Sequence, residues 1–423
     1  MRTSYWLGCA LILSIATGAN AQTPSPLTWN QVRQRFEQDN PELQAGELDI
    51  SESKAEEITA YLRPNPDVTV STDGTQIAPY QNVWQPFTGT MGVIALSYLH
   101  ERDHKRELRQ QDAREGTAIA VSSEADLERT LLFSLRSAFV GTLQAKAVLQ
   151  LARSNLGYWD QVLRISRDRA QAGDIAGIDL ERLELQRIQF LSDVQTAEVN
   201  LRTAKIQLLM LLNDRTPVAQ FDVAGRFDFN DQLQPLNDFQ KLALANRPDL
   251  KAAMQTIEQA KTSHKLAVAD GSTDPTFSAW YSHNPSFNNP YDYQTLGASV
   301  NIPLRIFDRN QGEKLRTQLD INRSQRLLDA KKAQVVSDAD SAYALVNSDL
   351  ILLRPYKAKY LQQAAQVRDT VRLSYEHGAA SLLDFLSAES DFRNIQLNYL
   401  NLIGSYLTAA AQLNLAVGQE VIQ

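Results

Sequence analysis

The sequence predicts a mainly α-helical protein with a few short β-strands suited to crossing a membrane, one structural unit being written twice. Three observations lead there. A leader-like N-terminus is followed by no apolar stretch long enough for a membrane helix, motifs recur after about 205–207 residues, and two very long helical runs each follow a pair of short alternating segments.

The chain has 423 residues, 43% hydrophobic and 22% charged, so a sizeable core is available and wholesale disorder is excluded. A formal net charge of −7 with no long basic block argues against nucleic acid as a partner. Arg2, the apolar run from Tyr5 to Ala16 and the small-x-small sequence Ala19-Asn20-Ala21 read as a secretory signal peptide, so residues 1–21 are expected to be cleaved. Cys9 is the only cysteine, and it sits at the start of that run, where a lipoprotein would carry it at the end. The mature chain is therefore expected to be unlipidated, with no disulfide and no thiolate metal site. Beyond residue 21 no apolar run approaches a membrane helix, which leaves a periplasmic protein or an outer-membrane β-barrel.

The first repeat is expected over residues 22–213, a linker over 214–235 and the second repeat over 236–423. Leu27-Thr28-Trp29 leading to Asn40-Pro41-Glu42-Leu43 is echoed by Leu236-Asn237-Asp238 leading to Asn246-Arg247-Pro248-Asp249-Leu250. Each half continues with a helical stretch, a proline-containing break (Pro64 and Pro66, then Pro275) and two strands. The segment at 294–304 puts Leu296, Ala298, Val300, Ile302 and Leu304 on one face, and Thr295, Gly297, Ser299 and Asn301 on the other. Its counterpart at 90–99 has Ile94, Leu96 and Tyr98 on one face, while Met91 and Val93 blur the other. The partner strands are 68–73, with Val68 and Val70, and 276–283, with Phe277, Ala279 and Tyr281. Candidate lipid-facing residues are Ile94, Leu96, Tyr98, Leu296, Val300 and Ile302. Aromatic loops join each pair, with Tyr80, Trp84 and Phe87 in one and Phe287, Asn289, Pro290 and Tyr291 in the other.

A long helix is expected over 104–171 and another over 309–376, each extending roughly 100 Å at 1.5 Å per residue. The first carries a 3,4-spaced seam from Leu135 through Leu149 to Leu163, the second one from Val336 through Leu350 to Val371. Pro355 is expected to kink the second helix near Ile351. Each ends at a glycine turn, Gly173 or Gly378, after which a helix returns over 178–213 or 382–417. Gly173 and Gly378, Asp179 and Asp384, and Glu184 and Glu389 all stand 205 residues apart. The linker, with Phe221, Phe227 and Phe229, is expected to lie beside the coiled coil as a belt.

Four strands cannot close a barrel, yet only a closed barrel is allowed in lipid, so several copies must pool their strands. Two copies would supply 8 strands and three would supply 12, and these rules do not choose between them. Both strand pairs enter and leave at one face, so the helices extend the barrel to one side only.

The repeat order, the Asn-Pro and Arg-Pro dipeptides and the glycine tip followed by Ser381-Leu382-Leu383-Asp384-Phe385-Leu386 resemble the TolC-type outer-membrane efflux protein family over nearly the whole mature chain. The resemblance implies a homotrimer with a 12-strand barrel continued by a periplasmic α-helical barrel. It also implies a periplasmic adaptor (membrane fusion) protein and an inner-membrane pump as partners. The stretch from Ile302 to Gly312 looks like the cobalt–zinc–cadmium branch, although in the first half only Asp103 matches Asp308.

No catalytic or cofactor-binding constellation is present: there is no nucleophile elbow, P-loop or dinucleotide fingerprint. His100 and His104, with Glu101 and Asp103 between them, lack a convergent third ligand, so no metal site is assigned. A resting duct must be shut, and Arg164, Asp168, Asp369, Arg372 and Tyr375 near the turns are candidates for rings that close it. Solvated coiled-coil flanks explain each of them equally well. Gly173, Asp174, Gly177, Gly378, Ala379 and Ser381 are the candidate adaptor contacts. The expected role is the exit channel of a tripartite efflux system, for heavy-metal cations. Alternatives are an exit duct for drugs or a type I secreted protein, or a soluble periplasmic coiled-coil scaffold.

Overall fold

In the computed structural model, residues 25–87, 89–283 and 294–422 are described. The expected leader and the loop containing Phe287 and Tyr291 lie outside them. The chain is mostly helical with a few short strands, and among the described residues no helix is long and apolar enough to cross a membrane.

Helix α1 (Trp29–Asp39) starts at a capping box, where Gln31 accepts from the Thr28 amide at 2.9 Å, and it buries Val32 and Phe36 one turn apart. The helical stretch expected in each half is preceded by a second, shorter helix. Asn40 is extended and its side chain accepts from Glu42 and Leu43, so α2 (Pro41–Ala60) leaves at a corner. Pro41 disfavours α-helix at the residue before it while fitting the first helical position itself. The second half repeats the corner between α5 (Leu236–Asn246) and α6 (Pro248–Asp270), with a different fixing. There Arg247, 6% exposed, reaches Asp249 at 2.6 Å and Asp338 at 2.7 Å.

Strands β1 (Asp67–Asp73) and β2 (Met91–Leu99) from the first half meet β3 (Thr276–His283) and β4 (Gln294–Asn301) from the second in one antiparallel sheet of order β1-β2-β3-β4. The halves join at the β2–β3 ladder, in which Ile94 faces Tyr281 and Tyr98 faces Phe277. Strand β4 stops at Asn301, so Ile302, expected inside it, lies one residue past its end. Pro303 has no N–H with which to extend the ladder.

From the sheet, α3 (Lys105–Ala172) runs 68 residues to the tip and turns into α4 (Gly177–Leu211). The second long helix, α7 (Gln311–Pro355), passes Ile351 unbroken, and a π-helical turn at Tyr356–Tyr360 precedes α8 (Leu361–Glu376). Pro355 leaves the Ile351 carbonyl without its usual donor, and one wide turn lets the rod continue. Helix α9 (Leu382–Val417) returns. Near the strands α3 packs with α2 and α6, which in turn packs on α7; towards the tips α3 packs with α4 and α9, and α9 with α8.

Residues 213–235 strap across the middle. Leu27 and Val223 form a bridge, Phe221 and Val223 join the core around Leu135 and Phe139, and Phe229 joins the core around Leu350 and Tyr406. Asp222 sits between Lys146 at 2.6 Å and Lys205 at 3.2 Å.

Candidate functional site: sheet faces and helix tips

Cross-strand partners share a face, so the register sorts the whole sheet. One face carries Val68, Leu96, Ala279 and Ala298 in one row, Val70, Ile94, Tyr281 and Leu296 in the next, and Tyr98, Phe277 and Val300 in a third. Large members of it stand in solvent in the single chain, Leu296 at 84% and Val70 at 71%. The opposite face carries Asp67, Ser97, Ser278 and Ser299 in one row and Ser71, Val93, Ser282 and Thr295 in another. Its one large aromatic, Trp280, lies flat across Gly297, where a Cβ would fall 2.4 Å from the ring. Of the six candidate lipid-facing residues, Ile94, Leu96, Tyr98, Leu296 and Val300 thus share the apolar face, and Ile302 sits beyond it. Among the described residues β1 and β4 each pair on one side only, so both edges are open.

The strand-to-helix junctions are pinned by charge. Lys105, 3% exposed, holds Asp274 at 2.5 Å, and Arg109 grips Glu101 with two bonds of 2.5 and 2.9 Å. The two histidines diverge: His100 packs edge-on against Phe277 at 6.4 Å, while His104 has Glu107 at 3.9 Å. No group of three metal-ligating side chains occurs among the described residues.

The lateral helices have two apolar stripes each. On α4, Leu183, Phe190, Val194, Ala197 and Leu208 are buried, whereas Leu185, Ile188, Val199, Ile206 and Met210 are exposed. At 100° per residue the two sets fall on opposite sides of the helix. On α7, Val335, Ala339, Val346 and Leu353 are buried, and Leu315, Leu319 and Ile351 lie exposed on the far side.

At the other end, Gly173 and Gly378 close their helices with φ of 85° and 74°. Asp174 donates to Arg169 O at 2.8 Å and Ala379 to Ser374 O at 2.7 Å, ending each helix in a left-handed cap. Ser381 caps α9 with Asp384, whose carboxyl is held low by the Ser381 hydroxyl and amide. Gly173, Asp174, Gly177, Gly378, Ala379 and Ser381 are all exposed.

The five gate candidates separate into two groups. Arg164 and Asp168 are exposed on α3 and make no ion pair among the described residues, and exposed Asp369 bonds to its neighbour Arg368 at 2.8 Å. Arg372 and Tyr375 are half-buried instead, Arg372 having Glu376 at 3.5 Å. Tyr375 stacks on Phe385 at 5.1 Å, Phe385 on Trp159 at 6.0 Å and Trp159 on Phe190 at 4.9 Å. This column of four near-parallel rings joins α8, α9, α3 and α4, and it went unread because the seam of each helix does not reveal which seams meet. Sequence reasoning also missed the bond from Tyr158 to Glu389 at 2.7 Å across the same interface. The match of Glu184 with Glu389 hid it, since Glu184 is exposed and holds Arg167 at 2.9 Å.

With this geometry in place, comparison with known proteins gives a consistent pattern. Residues 240–419 match the family described as Outer membrane efflux protein. The chain is similar to the cobalt-zinc-cadmium resistance protein CzcC of Cupriavidus metallidurans, 20% identical over 94% of this chain and 91% of that one. It is similar to outer membrane protein TolC of Escherichia coli, 22% identical over 92% and 81%. It also resembles the pyoverdine export outer membrane protein OpmQ of Pseudomonas aeruginosa, 25% identical over 74% of this chain and 66% of that relative, just under two thirds of its length. Among solved structures, CusC superposes with a TM-score of 0.78 at 16% identity, covering 92% of each chain. The Campylobacter jejuni CmeC outer membrane channel superposes with 0.75 at 13% identity, covering 93% and 87%.

Proposed function

We propose that this chain, a TolC-type outer-membrane efflux protein, assembles as a homotrimer whose strands close a 12-strand barrel in the outer membrane and whose helices continue it as a periplasmic α-helical barrel. The sheet carries the reading: one face apolar, one face mostly Ser, Thr and Gly, and both edges open. In lipid an open edge is prohibitive, so β4 of one copy pairs with β1 of the next, and the antiparallel order continues around the ring. The apolar face then meets lipid and the polar face lines the lumen. The outward stripes of α4 and α7 cover one another between copies in the same way.

In this reading residues 1–21 direct export and are removed. Arg164, Asp168 and Asp369 face the constriction as symmetric rings, and Arg372 and Tyr375 position the hairpins that carry them. The six tip residues from Gly173 to Ser381 meet a periplasmic adaptor, which links the duct to an inner-membrane pump. Heavy-metal cations are the favoured cargo, from the likeness of residues 302–312 and the relative named for cobalt, zinc and cadmium resistance. The relative named for pyoverdine export favours an organic cargo as the second reading.

Gene deletion followed by growth on zinc, cobalt and cadmium, alongside hydrophobic antibiotics, separates the two. Lost metal tolerance supports the first reading, and unchanged tolerance removes it. Fractionation with the outer membrane as a detergent-resistant trimer supports the duct, and a soluble monomer overturns it.

A further inference from the structure

We infer that the hydrogen bond between Tyr158 and Glu389 is a latch joining the α3–α4 hairpin to the α8–α9 hairpin, and that the joined arrangement weakens when Glu389 ionises, because a carboxylate charge is costly to keep buried there; the inference rests on the channel reading above. Glu389 lies two turns into α9 and is only 8% exposed within a single chain. Its carboxyl points across the interface, where the Tyr158 hydroxyl on α3 donates to Oε1 at 2.7 Å. No ion pair reaches it among the described residues. The positive groups near it are turned elsewhere. Arg368 lies over Phe392 at 4.2 Å and over Tyr158 at 5.3 Å while bonding to Asp369, and Arg372 reaches Glu376 with its Nε buried and unpartnered.

The groups that act on Glu389 are therefore Tyr158 from α3 and Arg368, Asp369 and Arg372 from α8. Burial raises its pKa above the ordinary glutamate value, while the Tyr158 bond, Arg368 and Arg372 pull the other way without cancelling that rise. Burial also pushes the Tyr158 phenol up, so the hydroxyl remains the donor. A neutral Glu389 still accepts this bond through its carbonyl oxygen, so protonation removes the charge and keeps the link.

Separating the hairpins would return Glu389 to water and to its ordinary pKa. The joined arrangement thus binds the proton more tightly than the separated one, and by linkage acid favours the joined state. As pH rises through the range above the ordinary glutamate value, the separated state gains. The aromatic column supplies cohesion insensitive to pH, and the latch adds the titratable part. Its counterpart Glu184 is exposed and paired with Arg167, so the device occurs on one hairpin only.

The test uses the full mature trimer, spin-labelled through cysteines introduced at Asp174 and Ala379 in a chain whose only natural cysteine is Cys9. The distance between the tips is measured at about pH 5 and about pH 8, with channel opening recorded in planar bilayers over the same range. In the wild type the population with separated tips, and the open probability, should rise several-fold towards alkaline pH. Glu389→Gln, neutral and still able to accept from Tyr158, should stay at the acid-like value throughout. Tyr158→Phe should raise the separated population at acid pH. A Glu389→Gln trimer that keeps the wild-type pH dependence in the distance measurement overturns the latch. Absence of any conductance overturns the channel reading instead, because the tip distances do not depend on it.

Discussion

Replacing Leu296 with arginine separates the two environments the sheet would experience. Leu296 is 84% exposed in the single chain and pairs only with Tyr281 across the ladder. If the sheet faced water, the change would be a surface substitution worth no more than about 0.5 kcal/mol. If that face meets lipid, each arginine costs about 2–4 kcal/mol near the bilayer midplane, or about 6–12 kcal/mol summed over three copies. Ser299→Arg is the matched control three residues along the same strand on the polar face, where a water-filled lumen would tolerate the charge. The assay is the yield of detergent-resistant trimer in the outer-membrane fraction, with thermal unfolding in detergent beside it. Leu296→Arg should remove most of the trimer while Ser299→Arg retains it. Equal yields from both variants would refute the assignment of faces.

Further outcomes follow from the helices. Arg247→Ala strands Asp249, whose carboxyl burial pushes up but which Arg247, Arg129 and Lys331 hold down at about 2. It should cost about 3–5 kcal/mol, read as a lowered Tm. Because that pKa lies below the unfolded value, the pair contributes about 2 kcal/mol above the ordinary carboxylate range and loses it as pH falls towards 2; Asp249→Asn should flatten this acid limb. Gly173→Ala and Gly378→Ala, at φ of 85° and 74°, should each lose about 1 kcal/mol. Gly157→Ala, exposed inside α3 with nothing within 4 Å of its new Cβ, should gain about 0.5–1 kcal/mol, and denaturant unfolding reports both signs.

The elements that depend on local periodicity were legible in the sequence. Alternation at Leu296, Ala298 and Val300 identified a face that the register extends across four strands, and Gly173 and Gly378 marked the helix ends. The end of β4 is expected too late, at residue 304, by carrying an alternating pattern through Pro303, which cannot donate to the ladder. The short helices before the corners at Asn40 and Arg247 are not legible, because each spans only 11 residues and leads straight into a proline. The tip was the least legible part. Whether Tyr375 or Glu389 faces water or a neighbouring helix depends on how α3, α8 and α9 meet, a long-range choice that spacing within one helix does not encode.

In the proposed assembly β4 of one copy joins β1 of the next until three copies close. Cysteines placed at Thr69 on β1 and Ser299 on β4, on the same face of the sheet, test it directly when membranes are treated with a short bismaleimide. The expected result is a ladder of monomer, dimer and trimer that stops at trimer, with neither single-cysteine variant linking beyond a dimer. A chain that remains monomeric under the same treatment, or a ladder that continues past three copies, would contradict it.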